Sequence, residues 1–487
     1  LKTVSFALLL LPLTGGAAVK SVTTVTELQA ALSSAKAGDE IVLEDGTYTV
    51  NANLSCSAEG TQAAPITVRA KNRYAAIVRF NAQEGFKVSG RSWTFDGLTV
   101  EGICANDETC EHAFHVTGHA ENFVLRNSRV RDFNSQLKVN ASQNGSGVWE
   151  MPHKGLIENN EIYDTHPRVT STPVNKVNID TGDDWVVRDN ELHDFSRQGG
   201  ISYGAFMKSG GKRGLFERNR VLCVKDRPEG DTRIGLSFGG GGTGNQYCAP
   251  AFDPNVPCSP EHTDGIIRNN IVANCSDVAV YLNKAANTRV LFNTFVGTLG
   301  VDYRFAASTG EAVGNVLTGV IRNRDSATGT QSSNRSNVDT NTFATWYVAP
   351  LKGDLTRKGD VSSLIGAAPR NSLAPEDFCA RARPASATLG AVEHSLGDCS
   401  ANPGGGTDAG TGGNTDAGTG ADAGTGGNTD AGTGADAGTG GNTDAGSGPV
   451  KEAPNGEVEG GCNASPGLLP VLLTLLAPLA LRRRSRR

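Results

Sequence analysis

The chain has 487 residues, 20% of them charged, and a formal net charge of −6. It lacks the basic stripe with interleaved aromatics that a nucleic-acid binder needs. Its 61 glycines divide between a low-complexity tract near the C-terminus and the turns of a repetitive domain.

Residues 1–18, "LKTVSFALLLLPLTGGAA", carry one positive charge, an apolar run and small residues at the end. This is the pattern of a secretory signal peptide, with cleavage expected near Ala17 or Ala18. Pro12 and the Gly15-Gly16 pair argue against a buried helix there. Export permits disulfides among the ten cysteines. Cys104 with Cys110, Cys248 with Cys258, and Cys379 with Cys399 are close enough in sequence to staple local loops. Cys223 and Cys275 can meet across neighbouring coils. Cys56 has no evident mate, and Cys462 stands apart.

The folded part spans 19–400. Near its start, Thr26 followed by Gln29 reads as a capping box. Val25, Leu28 and Leu32 share one helical face. Ile41 and Leu43 then alternate with polar residues, as in a strand. From there a phrase recurs: "FDGLTV", "LRNSRV", "IENNEI", "VRDNEL", "FERNRV", "IRNNIV", "VLFNTF" and "VGNVL". It closes on Val100, Val130, Ile162, Leu192, Val221, Val272, Phe295 and Leu317. Successive closures are 30, 32, 30, 29, 51, 23 and 22 residues apart. The step of 51 has room for an extra coil, with "RIGLSFGG" as its strand. Val, Ile and Phe with period two, punctuated by Asn and Gly, favour strand and turn over helical repeats. The period predicts an all-β, right-handed parallel β-helix. The N-terminal helix would cap its first coil, whose open edge would otherwise pair with other chains. Asn suits the bends and can stack from coil to coil.

Residues 401–460 form a Gly/Thr/Asp/Ala-rich tract with a fourteen-residue period marked by Asn414, Asn428 and Asn442. The repeat carries no apolar residue larger than alanine and is expected to be a disordered linker. Residues 461–487 carry an apolar run from Leu468 to Leu481 and then an arginine cluster. The run is a short hydrophobic helix, below the roughly twenty residues of a bilayer span. Cys462, the run and the arginines together resemble the C-terminal sorting tails of myxobacterial surface proteins. That likeness implies export and display at the cell surface or outer membrane.

The openings "AGDEIVLEDGTYTV" and "AAPITVRAKN", with "MKSGGKRGLFERN" later, resemble the chondroitinase-B and alginate-lyase family of β-helix polysaccharide lyases. The resemblance covers about 20–330 and implies a catalytic lysine at Lys208. It also implies calcium, bound by acidic residues a few positions before that lysine, and an arginine on the next coil. Here those stretches read "GGISYGA" and "GLSFGGGG", so the calcium ligands and the arginine are not matched.

In a β-helix, equivalent residues of successive coils lie above one another. Lys208 would stack near Asp180 and Ser237, with Tyr281 or Asn283 and Arg304 beyond, and Glu150 and His115 before it. Such a polar stripe is long enough for several sugar units. Uronate elimination needs a base for the proton beside the carboxylate and positive charge for the resulting enolate. Lys208 is the candidate base, with Lys212, Arg213 and Arg233 near in sequence to disfavour its protonated form. Arg304 or Arg233 are candidates to neutralise the substrate carboxylate, and Tyr281 to protonate the leaving oxygen. Glu261, His262 and Asp264 of "PEHTDG" cluster as a metal or acid/base group, with Glu261 and His262 as candidate substrate-binding residues. Asp180, Asp183 and Asp184 offer the paired carboxylates of a glycoside hydrolase, although the last two read as turn residues. The expected partner is an acidic polysaccharide, engaged by a single solenoid acting as a monomer. The alternatives are a glycoside hydrolase and a non-catalytic, adhesin-like glycan-binding protein.

Overall fold

The computed structural model describes residues 16–228 and 230–399. The expected linker and sorting tail lie outside the described residues, as does the expected signal peptide except for 16–18. Three long sheets of 12, 10 and 10 strands run the length of the domain. One coil shows the plan: Val186–Arg188 lies in the first sheet, Glu191–His193 in the second and Ser202–Lys208 in the third. The chain then re-enters the first sheet at Leu215–Glu217, parallel to Val186–Arg188. Coil on coil, this is a right-handed parallel β-helix. Among the described residues no helix is long and apolar enough to cross a membrane.

The closing positions of the recurring phrase all belong to the second sheet. Val100, Val130, Ile162, Leu192, Val221, Val272, Phe295 and Leu317 pair in that order, each with the next. All eight are fully buried. The expected extra coil is absent, because Val221 pairs directly with Val272. "RIGLSF" is the third-sheet strand of that same coil (Arg233–Phe238), and the surplus length is the loop between it and Ile266. Inside the coils, Phe86, Phe95, Phe114 and Phe123 stack with ring centroids between 4.9 and 6.1 Å apart.

Between the first and second sheets each coil bends through an asparagine. Asn160, Asn190, Asn219, Asn270, Asn293 and Asn315 form a buried ladder. The Oδ1 of each from Asn190 onward accepts from the backbone N–H and Nδ2 of the asparagine one coil earlier. The residues just before them, such as Asn159, Asp189, Arg218 and Asn269, take the left-handed conformation, with φ between 51° and 57°. Replacing Asn219 with Ala would strip the Asn190 backbone N–H of its acceptor and Val187 O of its Asn219 donor. An unsatisfied buried polar group costs roughly 1–3 kcal/mol, so Asn219→Ala should destabilise the domain by about 2–4 kcal/mol in urea unfolding. A loss under about 0.5 kcal/mol, as for an ordinary surface site, would contradict the ladder's role.

The helix Val25–Ser33 caps the first coil, with Leu28 and Leu32 buried. Its capping box is Thr24 with Glu27, two residues earlier than the sequence suggested. Thr24 has the extended backbone of a cap, whereas Thr26 is already helical. At the other end the chain does not stop with the coils. The helix Thr340–Trp346 and the segment through Val392 fold back over the outer face of the second sheet. There Phe343, Trp346, Leu364 and Phe378 bury Leu222, Ile271, Ala273 and Val296. All four anticipated disulfides are formed, and Cys56 is a buried free thiol.

Candidate functional site

The third sheet has the longest strands, six or seven residues over Ser202–Lys208 and its neighbours. Alternate residues of a strand face opposite ways. Val139, Ile179 and Met207 therefore point into the core, while Lys138, Asp180 and Lys208 point out. A cavity of about 730 Å³ lies over this outer face. One wall is the hairpin of Ser142–Gln143 with Trp149–Glu150. The other is the loop after Phe238, stapled by Cys248–Cys258, which contributes Gly242, Thr243 and Tyr247. The walls meet where Trp149 stacks on Phe252 at 4.6 Å and stands edge-on to Tyr247 at 6.3 Å.

At the floor, Asp180 pairs in register with Lys208. The Lys208 ammonium lies 3.2 Å from Asp180 Oδ1 and donates to Gly241 O at 3.4 Å. The Lys138 ammonium bonds the other carboxylate oxygen. Ser209 Oγ reaches Asp180 Oδ1 at 3.2 Å and Thr243 Oγ1 at 2.9 Å. Both lysine side chains are 8% exposed and that of Asp180 is 16% exposed. Burial opposes the Asp180 charge, yet the two ammoniums outweigh it and hold its pKa at about 2. Toward the N-terminal end, His115 lies between Glu84 Oε1 (2.6 Å) and Asn140 Oδ1 (2.7 Å). The His115 hydrogen bond is the largest influence on Glu84 and holds it at about 2 against burial.

These depressed carboxylates set the acid limit of stability. Asp180 has an ordinary pKa of 3.8 and Glu84 one of 4.5, and both fall to about 2 on folding. Their contribution is fully present above about pH 4.5, where the unfolded chain is ionised as well. It is lost as pH falls through the folded values, and amounts to on the order of 2–3 kcal/mol for each group. The melting temperature should therefore drop steeply between about pH 4 and pH 2. A profile flat to pH 2 would refute the ionised pairs.

The other residues singled out from the sequence fall in different places. Asn283 lies two coils beyond Lys208 and pairs with Arg304 on the third, and Tyr281 pairs with Ser237 in the neighbouring outward column. Arg304 Nη1 donates to Tyr281 Oη at 2.8 Å and Nε to Asp325 at 2.6 Å, outside the cavity lining. Ser237 pairs with Phe206, not with Lys208, and is buried with its hydroxyl bonded to the carbonyls of Gly239 and Tyr281. Glu150 stands at the hairpin's foot, accepting from Asn144 at 3.0 Å and bonding His119 at 2.9 Å. Arg233 is buried, donating to the carbonyls of Phe195 and Pro228. Lys212 is exposed, and Arg213 is tied to Asp183 and Asp184. The cation that does adjoin Lys208, through Asp180, is Lys138.

Glu261 and His262 lie behind the groove wall. Glu261 Oε2 accepts from the N–H groups of Gly240 and Gly241 at 2.9 and 3.0 Å, and so holds the loop whose Gly241 carbonyl meets Lys208. That loop leaves the sheet at Gly239, where φ is +72° and a Cβ would come within 1.8 Å of Asn283 O. Only glycine fits there. His262 is buried and stacked on Phe238 at 4.1 Å, and burial pushes its pKa down to about 3, so it stays neutral.

Lys138, Glu84, Asn140, Trp149 and Tyr247 were not found from the sequence. Lys138 occupies the same repeat position as His115, and the two strands pair directly. The coil after Lys138 is lengthened by the Ser142–Glu150 hairpin, which hides how Lys138 lines up with the coils of Asp180 and Lys208.

The donors around Lys208 do not fit a calcium ion, because both Asp180 oxygens already face ammonium groups. Among the described residues, the acidic and histidine side chains close enough to share a cation are Glu161, Glu191 and His193. They lie on the second sheet, already engaged by Arg129, Arg220 and Lys225.

Residues 15–171 match a family model described as the Pel9A-like, right handed beta helix region. No curated protein matches the chain. Among solved structures, the chain is similar to pectate lyase Pel9A at 16% identity, over 75% of this chain and 90% of that one, with a TM-score of 0.41. A rhamnogalacturonan lyase is similar at 14% identity, over 71% and 97%, with a TM-score of 0.47. An alginate lyase from Paenibacillus sp. str. FPU-7 is similar at 19% identity, over 66% and 99%, with a TM-score of 0.33. At these identities the likenesses assign no residue.

Proposed function

We propose that the protein is a polysaccharide lyase that cleaves a uronate-containing glycan by β-elimination in the groove of the third sheet. The observation that carries this reading is the lysine pair on Asp180 at the groove floor. Lys208 is an ammonium in the resting groove; once it has released a proton to solvent, its amine takes the proton from the carbon bearing the carboxylate. The electron pair left behind forms the new carbon–carbon double bond, the bond to the glycosidic oxygen breaks, and that oxygen leaves with a proton from water. The match to the Pel9A-like region over 15–171 supports a polysaccharide-directed role.

Hydrolysis fits the groove less well. It needs one carboxyl group held protonated as the acid, whereas Asp180 and Glu84 are both held ionised, at about 2. The reading also has the protein exported and held at the cell surface by its leader and tail, in accord with four disulfides. The test is incubation with alginate, pectate, chondroitin and hyaluronan. New absorbance from unsaturated products is expected with at least one of them. Reducing ends without that absorbance would replace the proposal with hydrolysis. Binding with neither would leave a glycan-binding surface protein.

A further inference from the structure

We propose that Lys138 supplies the positive charge that elimination needs, so that this groove works without a metal ion. The inference rests on the lyase reading and adds a second catalytic residue to it. In a uronate the acidic hydrogen and the carboxylate sit on the same carbon. A base and a cation that act on them together must lie beside one another. Asp180 brings the two together, since Lys208 faces Oδ1 and Lys138 binds Oδ2 of the same group. The two lysines come from different strands two coils apart, and Asp180 on the coil between them bridges them. Both side chains are 8% exposed on the cavity floor, where a charge is little screened by water.

The other cations near the groove are less buried or lie outside it. Lys87 also lines the cavity, but it is 46% exposed and paired with Glu84 at 3.4 Å. Arg304 is held by Asp325 and Tyr281, outside the lining. A divalent cation would need Asp180 oxygens that already face ammonium groups. The carboxylate of a bound uronate therefore meets Lys138 while its neighbouring hydrogen faces Lys208. As the proton leaves, the charge growing on the carboxylate is stabilised by the Lys138 ammonium, a role in which one well-placed donor contributes about 10²–10³ in rate.

The experiment uses the full chain and the polyuronate cleaved in the substrate panel. Chelator-treated wild-type protein should keep its rate within about twofold, and added calcium should leave its melting temperature unchanged. Lys138→Met should lose about 10²-fold in kcat/KM, and Lys138→Arg, which keeps the charge, should lose about tenfold or less. Either single variant leaves Asp180 paired with Lys208, and melting temperatures will verify that both fold. A rate abolished by chelator and restored by calcium would overturn the proposal, as would wild-type turnover in Lys138→Met. If the wild type cleaves no polyuronate, the lyase reading fails instead. Calorimetry with oligogalacturonate and oligomannuronate then decides the carboxylate contact: weaker binding by Lys138→Met supports it, and equal binding removes it.

Discussion

Lys208→Met should lower the rate of elimination by about 10²–10⁴, the contribution of a positioned general base, while the protein stays folded and still binds polymer. The geometry separates these effects. Removing the Lys208 ammonium leaves Asp180 bonded to Lys138 and Ser209, so no buried charge is orphaned. The change in stability should accordingly be small. Steady-state assays on both proteins, with circular dichroism and polymer retention as controls, read each part. Wild-type-like turnover in Lys208→Met would end the role of Lys208 as the base.

Asp180→Ala should act on the fold as strongly as on activity. It strips the shared counter-charge from two ammoniums that are each 8% exposed. Breaking a buried pair by removing one partner costs about 3–5 kcal/mol, and here two cations lose the same partner. The double variant Asp180→Ala/Lys138→Met removes one of the two cations and should recover part of that loss. Denaturant midpoints of the wild type, the single variants and the double variant close the cycle. If Asp180→Ala unfolds at the wild-type midpoint, the three groups are not the coupled buried unit described.

The fold was legible because a solenoid writes its register into the sequence. Eight apolar closures, from Val100 to Leu317, were enough to place the second sheet, and the asparagines between them placed the ladder. The Asp180–Lys208 pairing followed from the same regularity, because "VNID" and "AFMK" end adjacent strands of near-equal coils. Regularity failed where coils carry insertions. The long step after Val221 looked like an additional turn because length alone does not distinguish a coil from a loop. The hairpin after Lys138 kept that residue out of view, and Trp149 and Tyr247 come from insertions with no counterpart in other coils. Arg233, Ser237 and His262 show a second limit. Their polarity suggested a surface, but in a sheet the side a residue faces depends on register, and a polar side chain can be buried when backbone groups satisfy it. The C-terminal wrap was missed for the converse reason. Consecutive apolar residues such as Ile271-Val272-Ala273 bury both faces of a strand and so call for a cover over the outer one.

The most direct test of elimination in this groove is the mass of the products released from the cleaved polyuronate. Elimination adds no water, so the fragment carrying the new non-reducing end should be lighter by one water than the hydrolytic product of the same length. That fragment should be unsaturated and should disappear with Lys208→Met. Fragments of hydrolytic mass, or lighter fragments still formed at the wild-type rate by Lys208→Met, would contradict the account.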